Sequence, residues 1–418
     1  MTINDVFQAE VYPTPPRSPH SYISEHDDVP AITVLASSRA VINGRLTPAT
    51  LVVSPATGKI ISVLESIVPP SSFPQGTPYV DHSPHILLPG LVDAHVHLNE
   101  PGRTEWEGFW TGTKAAAFGG VTTVVDMPLN AIPPTTTVAG LEEKIEAAKN
   151  KCWVDVGFYG GIIPAIPLLR QARKEGIKIT AETCFHYLSL AAEAVQEGDT
   201  RHKCCPPIRK QINQDGLWAE LLREEAAAGD ASVIQTIVSD HSPCTPNLKL
   251  LPSSLSSLDM SKGSTSGTIT PASSETGAEG FPGDFFAAWG GISSVGLGLP
   301  ILWTECLARG IPIEDIVRWC SVNTARQVGL SARKGALAVG MDADIAVFDD
   351  EGSFIVQHDS MLFRNKCSPY EGRKLHGVVR ETWVRGRKVF ERGAGFNEKR
   401  GPQGRLLLEP RTKQEAHK

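Results

Sequence analysis

The sequence predicts an α/β chain: a central, barrel-like run of parallel strand–helix units with a β-sandwich beside it, built from both chain ends. Three observations carry this. Strand-like and helix-like texture alternates through residues 89–330, the pattern of βα units that feed a parallel sheet. Two β-rich stretches, 31–88 and 331–395, frame that region. One apolar strand also ends in Asp93-Ala94-His95-Val96-His97, and the carboxyl ends of parallel strands are where such folds place their chemistry.

The elements follow in order. Residues 1–30 have no apolar core and no basic start, so they are expected to be a disordered leader and not a secretory signal. Short β-rich runs over 32–63, broken by Gly, Pro and Asn, predict a small β-unit. Residues 86–98 form an apolar strand. Trp106, Phe109, Trp110, Thr113 and Ala117 recur at helical spacing until Gly119-Gly120 stops the helix.

A strand over Val121–Met127, a helix around Leu141, Ile145 and Ala148, and a strand over Val154–Tyr159 come next. After them are expected a helix at Leu168, Leu169 and Ala172, a strand over Ile177–Thr183, a helix near Leu217–Ala228 and a strand over Val233–Ser239. Residues 251–280 contain 19 Ser, Thr, Gly or Pro among 30, predicting a disordered insertion within 248–282. Helices are expected near Ile292–Ala308 and Ile313–Val328, then β texture to 395 and a tail over 396–418.

Composition narrows the function classes. The chain has 418 residues, 41 % hydrophobic and 21 % charged, with net charge −6 and no Lys/Arg-rich block. That argues against a nucleic-acid or anionic-membrane partner. No apolar run is long enough to span a bilayer. Eight cysteines without a CxxC pair read as reduced thiols in a cytoplasmic protein.

His95 and His97 alternate onto one strand face, with Cα atoms ~6.5–7 Å apart, so both imidazoles can converge on one metal ion. For an arbitrary HxH pair, two core or surface histidines are the commoner outcome. Here the strand end and the polar loop beyond it favour the metal. Asp240, in Ser239-Asp240-His241-Ser242-Pro243, ends another strand, where a carboxylate can ligate metal and take a proton from bound water. The alternative is an Asp capping the next turn. Asn99 and Arg103, in the loop after the HxH pair, are candidate substrate contacts, although an ordinary surface ion pair suits Arg103 equally.

Together these segments resemble the amidohydrolase superfamily, in particular its allantoinases. The resemblance rests on PGLVDAHVHLNEPGRTEWEGFWTGTKAAAFGGVTTVVDMPLN, ITAETCFHYLSL, HKCCPPIRK, VSDHSPC, NKCSPYEGR and GALAVGMDADIAVFD, and covers most of residues 38–395. It implies a TIM-barrel-like metal-dependent hydrolase domain flanked by a β-sandwich. It implies two metal ions per chain, usually zinc, that activate water to open the hydantoin ring of allantoin to allantoate. His95, His97 and Asp240 would hold one metal, with Asp240 also moving the proton. Homo-tetramers are common in the family. A hydantoinase- or dihydroorotase-type cyclic amidase is the neighbouring alternative.

The family also uses a carboxylated lysine and two further histidines as ligands. Between His97 and Asp240 the only histidines are His186 and His202, and no lysine stands in the expected Gly-Phe-Lys strand. Only 143 positions separate His97 from Asp240, where first to last strand of a full barrel takes roughly 210. About three βα units are therefore expected to be absent near Ile162–Ala165, leaving an incomplete barrel with at most a partial metal site. A catalytically inactive form of the same family is the alternative reading.

Overall fold

The computed structural model describes residues 30–159, 181–223, 232, 234–252, 255 and 280–408. The expected leader, the helix at Leu168–Ala172, the stretch Ile162–Ala165 and most of the Ser/Thr-rich insertion lie outside these residues.

Nine strands form one sheet from both chain ends. β1 (Thr33–Ile42), β2 (Arg45–Ser54), β3 (Lys59–Leu64), β4 (Tyr79–Asp81) and β5 (Ile86–Pro89) come from the first end. A parallel sheet then supplies β6 (Leu91–Val96), β7 (Val121–Asp126) and β8 (Asp155–Phe158), and a second parallel pair supplies β9 (Ala181–Cys184) and β10 (Ile234–Val238). β11 (Ile345–Ile355), β12 (Lys374–Val384), β13 (Arg387–Glu391) and β14 (Gly395–Phe396) return to the first sheet. The ends join where β5 lies between β1 and β11.

Local chemistry explains the hairpins. Asn43 and Gly44 both have positive φ, 51° and 74°, the two-residue turn whose twist suits flanking antiparallel strands. At the β12–β13 turn Arg385 takes φ 47°, unusual for a long side chain. Its backbone N–H donates to Asp344 Oδ1 at 2.8 Å and its guanidinium to Asp155. These buried acceptors hold a conformation the side chain does not favour.

The sheet has two apolar faces. Ile345 and Val347 of β11 pack with Leu35, Leu51 and Ile60 in one core. Ala346 and Phe348 face a larger core shared with α1 (Phe109–Phe118) and the helix Gly298–Arg309. Alternation along one strand thus serves two cores. The parallel strands curve likewise. Val92 and Ala94 of β6, Val125 of β7, Cys184 of β9 and Val238 of β10 line a small inner core, whereas Val124, Val156 and Ile237 face the outer helices.

The remaining helices, in chain order after α1, are α2 (Val138–Ala148), α3 (Phe185–Ser189), α4 (Gln211–Leu221), α5 (Gly298–Arg309), α6 (Ile313–Val317) and α7 (Asn323–Gln327). α2 begins on Thr137, whose side chain accepts from Gly140 N, an N-cap contact. A five-residue π turn, Arg318–Val322, joins α6 to α7.

Three expectations change. The helix expected from Ile292 starts only at Gly298. Residues 292–297 stay outside it: Ile292 bridges His241, Ser294 N and Val295 N both donate to His241 Nδ1, and Gly296 turns the chain at φ 87°. The insertion does not begin at 248: Lys249 is buried, with its ammonium on the Trp289 and Gly291 carbonyls. Nor is the chain a free tail from 396. Leu406 forms a parallel bridge to Val156 on the outer edge of β8, with Val156 N donating to Arg405 O at 2.9 Å and Leu407 N to Val156 O at 2.8 Å.

Candidate metal centre

The site lies where β10 meets β6. His97 N donates to His241 O at 2.9 Å, and parallel bridges link Val96 to His241 and His241 to Ile292. β10, hydrogen-bonded to β9 on its other side, therefore carries Asp240 between the His95–His97 pair and the end of β9.

The ligand atoms of His95, His97 and Asp240 lie within 4.8 Å of one another. Asp240 Oδ1 is 3.4 Å from His95 Nε2 and 3.5 Å from His97 Nε2. Ligands about 2.0–2.1 Å from a tetrahedral zinc sit roughly 3.4 Å apart, so these two edges already have the spacing of a filled site. Asp240 adopts φ 45°, a left-handed conformation that Asp tolerates. Ser242 Oγ fastens it, donating to Asp240 Oδ1 at 2.9 Å and to its carbonyl at 3.0 Å.

Surrounding groups fix each ligand. His95 Nδ1 meets Glu182 Oε1 at 2.7 Å, and Gln327 Nε2 donates to Glu182 Oε2 at 2.8 Å. Backbone N–H groups of His95 and Ser239 donate to Asp93 Oδ1, tying β6 to β10. The Asn130 side-chain amide is 3.3 Å from His97 Nδ1; with its oxygen turned to the ring it accepts Nδ1–H and leaves Nε2 for a cation. Buried Asp126 accepts from Leu98 N and from Lys144, which sets the turn after His97.

The electrostatics follow from these contacts. Burial opposes the charged form of His95, but the Glu182 hydrogen bond and the Asp240 charge raise its pKa. Burial opposes ionised Asp240 too, yet the His97 hydrogen bond and the His95 charge hold its carboxyl below the ordinary value. Glu182 is likewise held low against burial by His95 and Gln327. Burial pushes Asp93 up and His186 down to about 4.

The two candidate substrate contacts divide. Asn99 is buried, with its Nδ2 donating to the Pro243 carbonyl at 3.4 Å, so its amide nitrogen holds the loop that follows Asp240. Arg103 stays partly exposed. Its guanidinium lies 4.4 Å over the Trp106 ring and 5.9 Å from Trp289, and Nη1 donates to Asn130 O at 3.2 Å. Asn130 thus connects Arg103 to His97.

The sequence does not single out Glu182, Asn130, Asp93 and Cys184, and His186 figures in it only as one of the two histidines between His97 and Asp240. A signal existed for two of them. Glu182 and Cys184 stand two positions apart in β9, the spacing that selects one strand face; His186 lies beyond the strand, in α3. Asn130 needed knowledge that the turn after β7 folds back onto β6.

A lysine bridge is not built from the described residues. Lys144 pairs with Asp126, Lys151 with Glu100, Lys114 with Glu398 and Lys149 with Glu146, Lys203 donates to the Phe286 carbonyl, and Lys210 is exposed. His202 is far from this role too, paired with Asp199. A separate acidic cluster, Asp155, Asp342 and Asp344, is paired with Lys334, Arg385, Lys59 and Arg333 and needs no metal. The described residues therefore suit a cation held by two imidazoles and one carboxylate.

The amidohydrolase family model matches residues 86–254 and 303–389. An allantoinase of Saccharomyces cerevisiae is 36 % identical over 501 aligned positions, covering 91 % of this chain and 99 % of the yeast protein. One from Streptomyces avermitilis is 35 % identical, covering 90 % and 98 %. Because 91 % of 418 residues spreads over 501 positions, roughly 120 yeast positions face a gap here, room for three to four βα units of ~30 residues. Among solved structures, a dihydropyrimidinase from Brevibacillus agri superposes with TM-score 0.68 at 20 % identity, over 92 % of this chain and 100 % of that one. An L-hydantoinase from Arthrobacter aurescens gives 0.70 at 20 %, over 90 % and 99 %. At such identities the structural likeness speaks for the fold. The chain belongs to the amidohydrolase family and, within it, groups with the allantoinases.

Proposed function

We propose that the protein is an allantoinase-type cyclic amide hydrolase, opening the hydantoin ring of allantoin at a centre held by His95, His97 and Asp240. The observation that carries this is the 3.4 and 3.5 Å approach of Asp240 Oδ1 to the two imidazole Nε2 atoms. The substrate assignment is supported by the names of the relatives from yeast and Streptomyces.

Two nitrogens and one carboxylate oxygen suit zinc. When bound, the cation supplies a Lewis acid that lowers the pKa of a coordinated water toward ~7. The chain does the rest. Asp240, held ionised, accepts the proton of the attacking water and returns it to the ring nitrogen as the amide C–N bond breaks. Glu182 and Asn130 orient the two imidazoles so that each presents Nε2. Arg103, fixed by Trp106 and Asn130, offers N–H donors to a substrate carbonyl.

We further infer an open barrel of five parallel strands that lacks three βα units of its relatives. The support is the roughly 120 yeast positions without a counterpart here and the lack of a bridging lysine among the described residues. The test uses the purified full chain, loaded with zinc, assayed for allantoate from allantoin. Turnover that disappears in Asp240→Asn supports the assignment. A zinc-loaded, folded chain with no turnover makes this a non-catalytic member of the family, and faster hydrolysis of hydantoin or dihydroorotate moves it to another cyclic amidase.

A further inference from the structure

We propose that Cys184, His186 and Asp240 form a second cation position beside the first, for an ion of the zinc or cobalt class. It rests on the reading of the first site only through the shared Asp240 carboxylate.

Topology places the donors. β9 and β10 are parallel neighbours with Cys184 opposite Val238. Cys184 caps the start of α3 and His186 lies in its first turn. Asp240 follows two residues after Val238, so it has His95 of β6 and His97 just beyond that strand on one side and Cys184 and His186 on the other. The ligand atoms of Cys184, His186 and Asp240 lie within 4.8 Å of one another.

His186 supplies the independent observation. It is fully buried, and neither ring nitrogen has a hydrogen-bond partner. A buried imidazole with both nitrogens bare is rare, because such groups are normally satisfied. Its nearest aromatic contact is the Tyr187 ring, 4.2 Å away edge-on, which satisfies neither nitrogen. A cation on the Asp240 side would take one of them.

The donor set decides the ion. Sulfur, imidazole nitrogen and carboxylate oxygen favour zinc or cobalt over magnesium or calcium, which prefer all-oxygen shells. Tetrahedral zinc with one sulfur ligand needs edges of roughly 3.3–3.8 Å, so filling the site closes this triplet by up to about 1 Å. Loading releases the Cys184 thiol proton to solvent as the metal–sulfur bond forms.

Cobalt(II) titration of the full chain under reducing conditions, followed by absorption, tests this. The expected result is two equivalents bound, the second bringing an intense near-ultraviolet thiolate-to-cobalt band. Cys184→Ser should abolish that band and weaken the second equivalent at least about tenfold while leaving the first. His186→Asn, with unchanged circular dichroism, should weaken the second equivalent alone, and His95→Ala the first alone. A single equivalent, lost in His95→Ala and without a thiolate band, overturns the second position and leaves the first standing. A band that persists in Cys184→Ser assigns another thiol and also overturns it. No cobalt bound by the folded wild type removes both sites.

Discussion

His95 turns Nδ1 to Glu182 Oε1 at 2.7 Å and Nε2 to Asp240 Oδ1 at 3.4 Å. One ring is thus held by a carboxylate on one side and aimed at a shared ligand point on the other. Such a backing acid fixes the tautomer of a metal-binding imidazole and raises its basicity. Glu182→Gln should therefore lower zinc affinity ~10–100-fold, measured by chelator competition, with the melting temperature little changed. An unaltered affinity would mean that Glu182 merely fills space.

Arg103 tests the substrate side. Its guanidinium is fixed by Trp106 at 4.4 Å and by the Asn130 carbonyl. Arg103→Ala should raise KM for allantoin about tenfold or more, the loss of one hydrogen bond to a charged donor, with kcat falling less. A selective fall in kcat would instead point to disturbance of His97 through Asn130.

His241 neighbours Asp240 in sequence and differs from it in role. Its Nδ1 accepts from Ser294 N and Val295 N, and its Nε2 meets buried Glu107 Oε2 at 3.2 Å. Both nitrogens are used, so His241→Asn should destabilise the fold by about 1–3 kcal/mol, the cost of stranding buried polar partners, in urea unfolding. Zinc stoichiometry should be unchanged. Loss of a metal equivalent without loss of stability would reverse this assignment.

Asp155 joins the two halves of the molecule. It sits buried on β8, Lys334 Nζ is 2.8 Å away, and Arg385 and the Arg405 backbone N–H also donate to it. Burial works against its charge, but Lys334 and Arg385 hold its pKa below the ordinary value. A depressed carboxylate stabilises above the unfolded value of ~3.9 and loses that contribution as pH falls through the folded one. Asp155→Asn should thus cost about 3–5 kcal/mol near neutrality, because two buried cations lose their partner. It should also flatten the acid limb of the stability profile below about pH 4. Equal slopes in the two proteins would remove Asp155 from the acid transition.

Much of this was legible in the sequence, for reasons that differ by element. Short, largely apolar runs located β6, β7 and β10 because each of these strands is buried on both faces. The Gly119-Gly120 stop ended α1 where it was expected. The HxH pair and Asp240 stand at strand ends, where local pattern suffices. The helix expected from Ile292 failed because the backbone N–H groups of Ser294 and Val295 are claimed by a histidine more than fifty positions earlier. The pairing of Leu406 with Val156 joins positions 250 apart, and no local pattern encodes such a partner. Cys184 and His186 come together with Asp240 only through the pairing of β9 with β10, which no local pattern encodes.

The central claim is that His95, His97 and Asp240 converge on one cation. Anomalous scattering at the zinc edge, from crystals of the zinc-loaded chain, tests it most directly. The account predicts a peak about 2.0–2.2 Å from His95 Nε2, His97 Nε2 and an Asp240 carboxylate oxygen. A loaded crystal with no peak among these three atoms, or with its zinc bound only elsewhere, would contradict it.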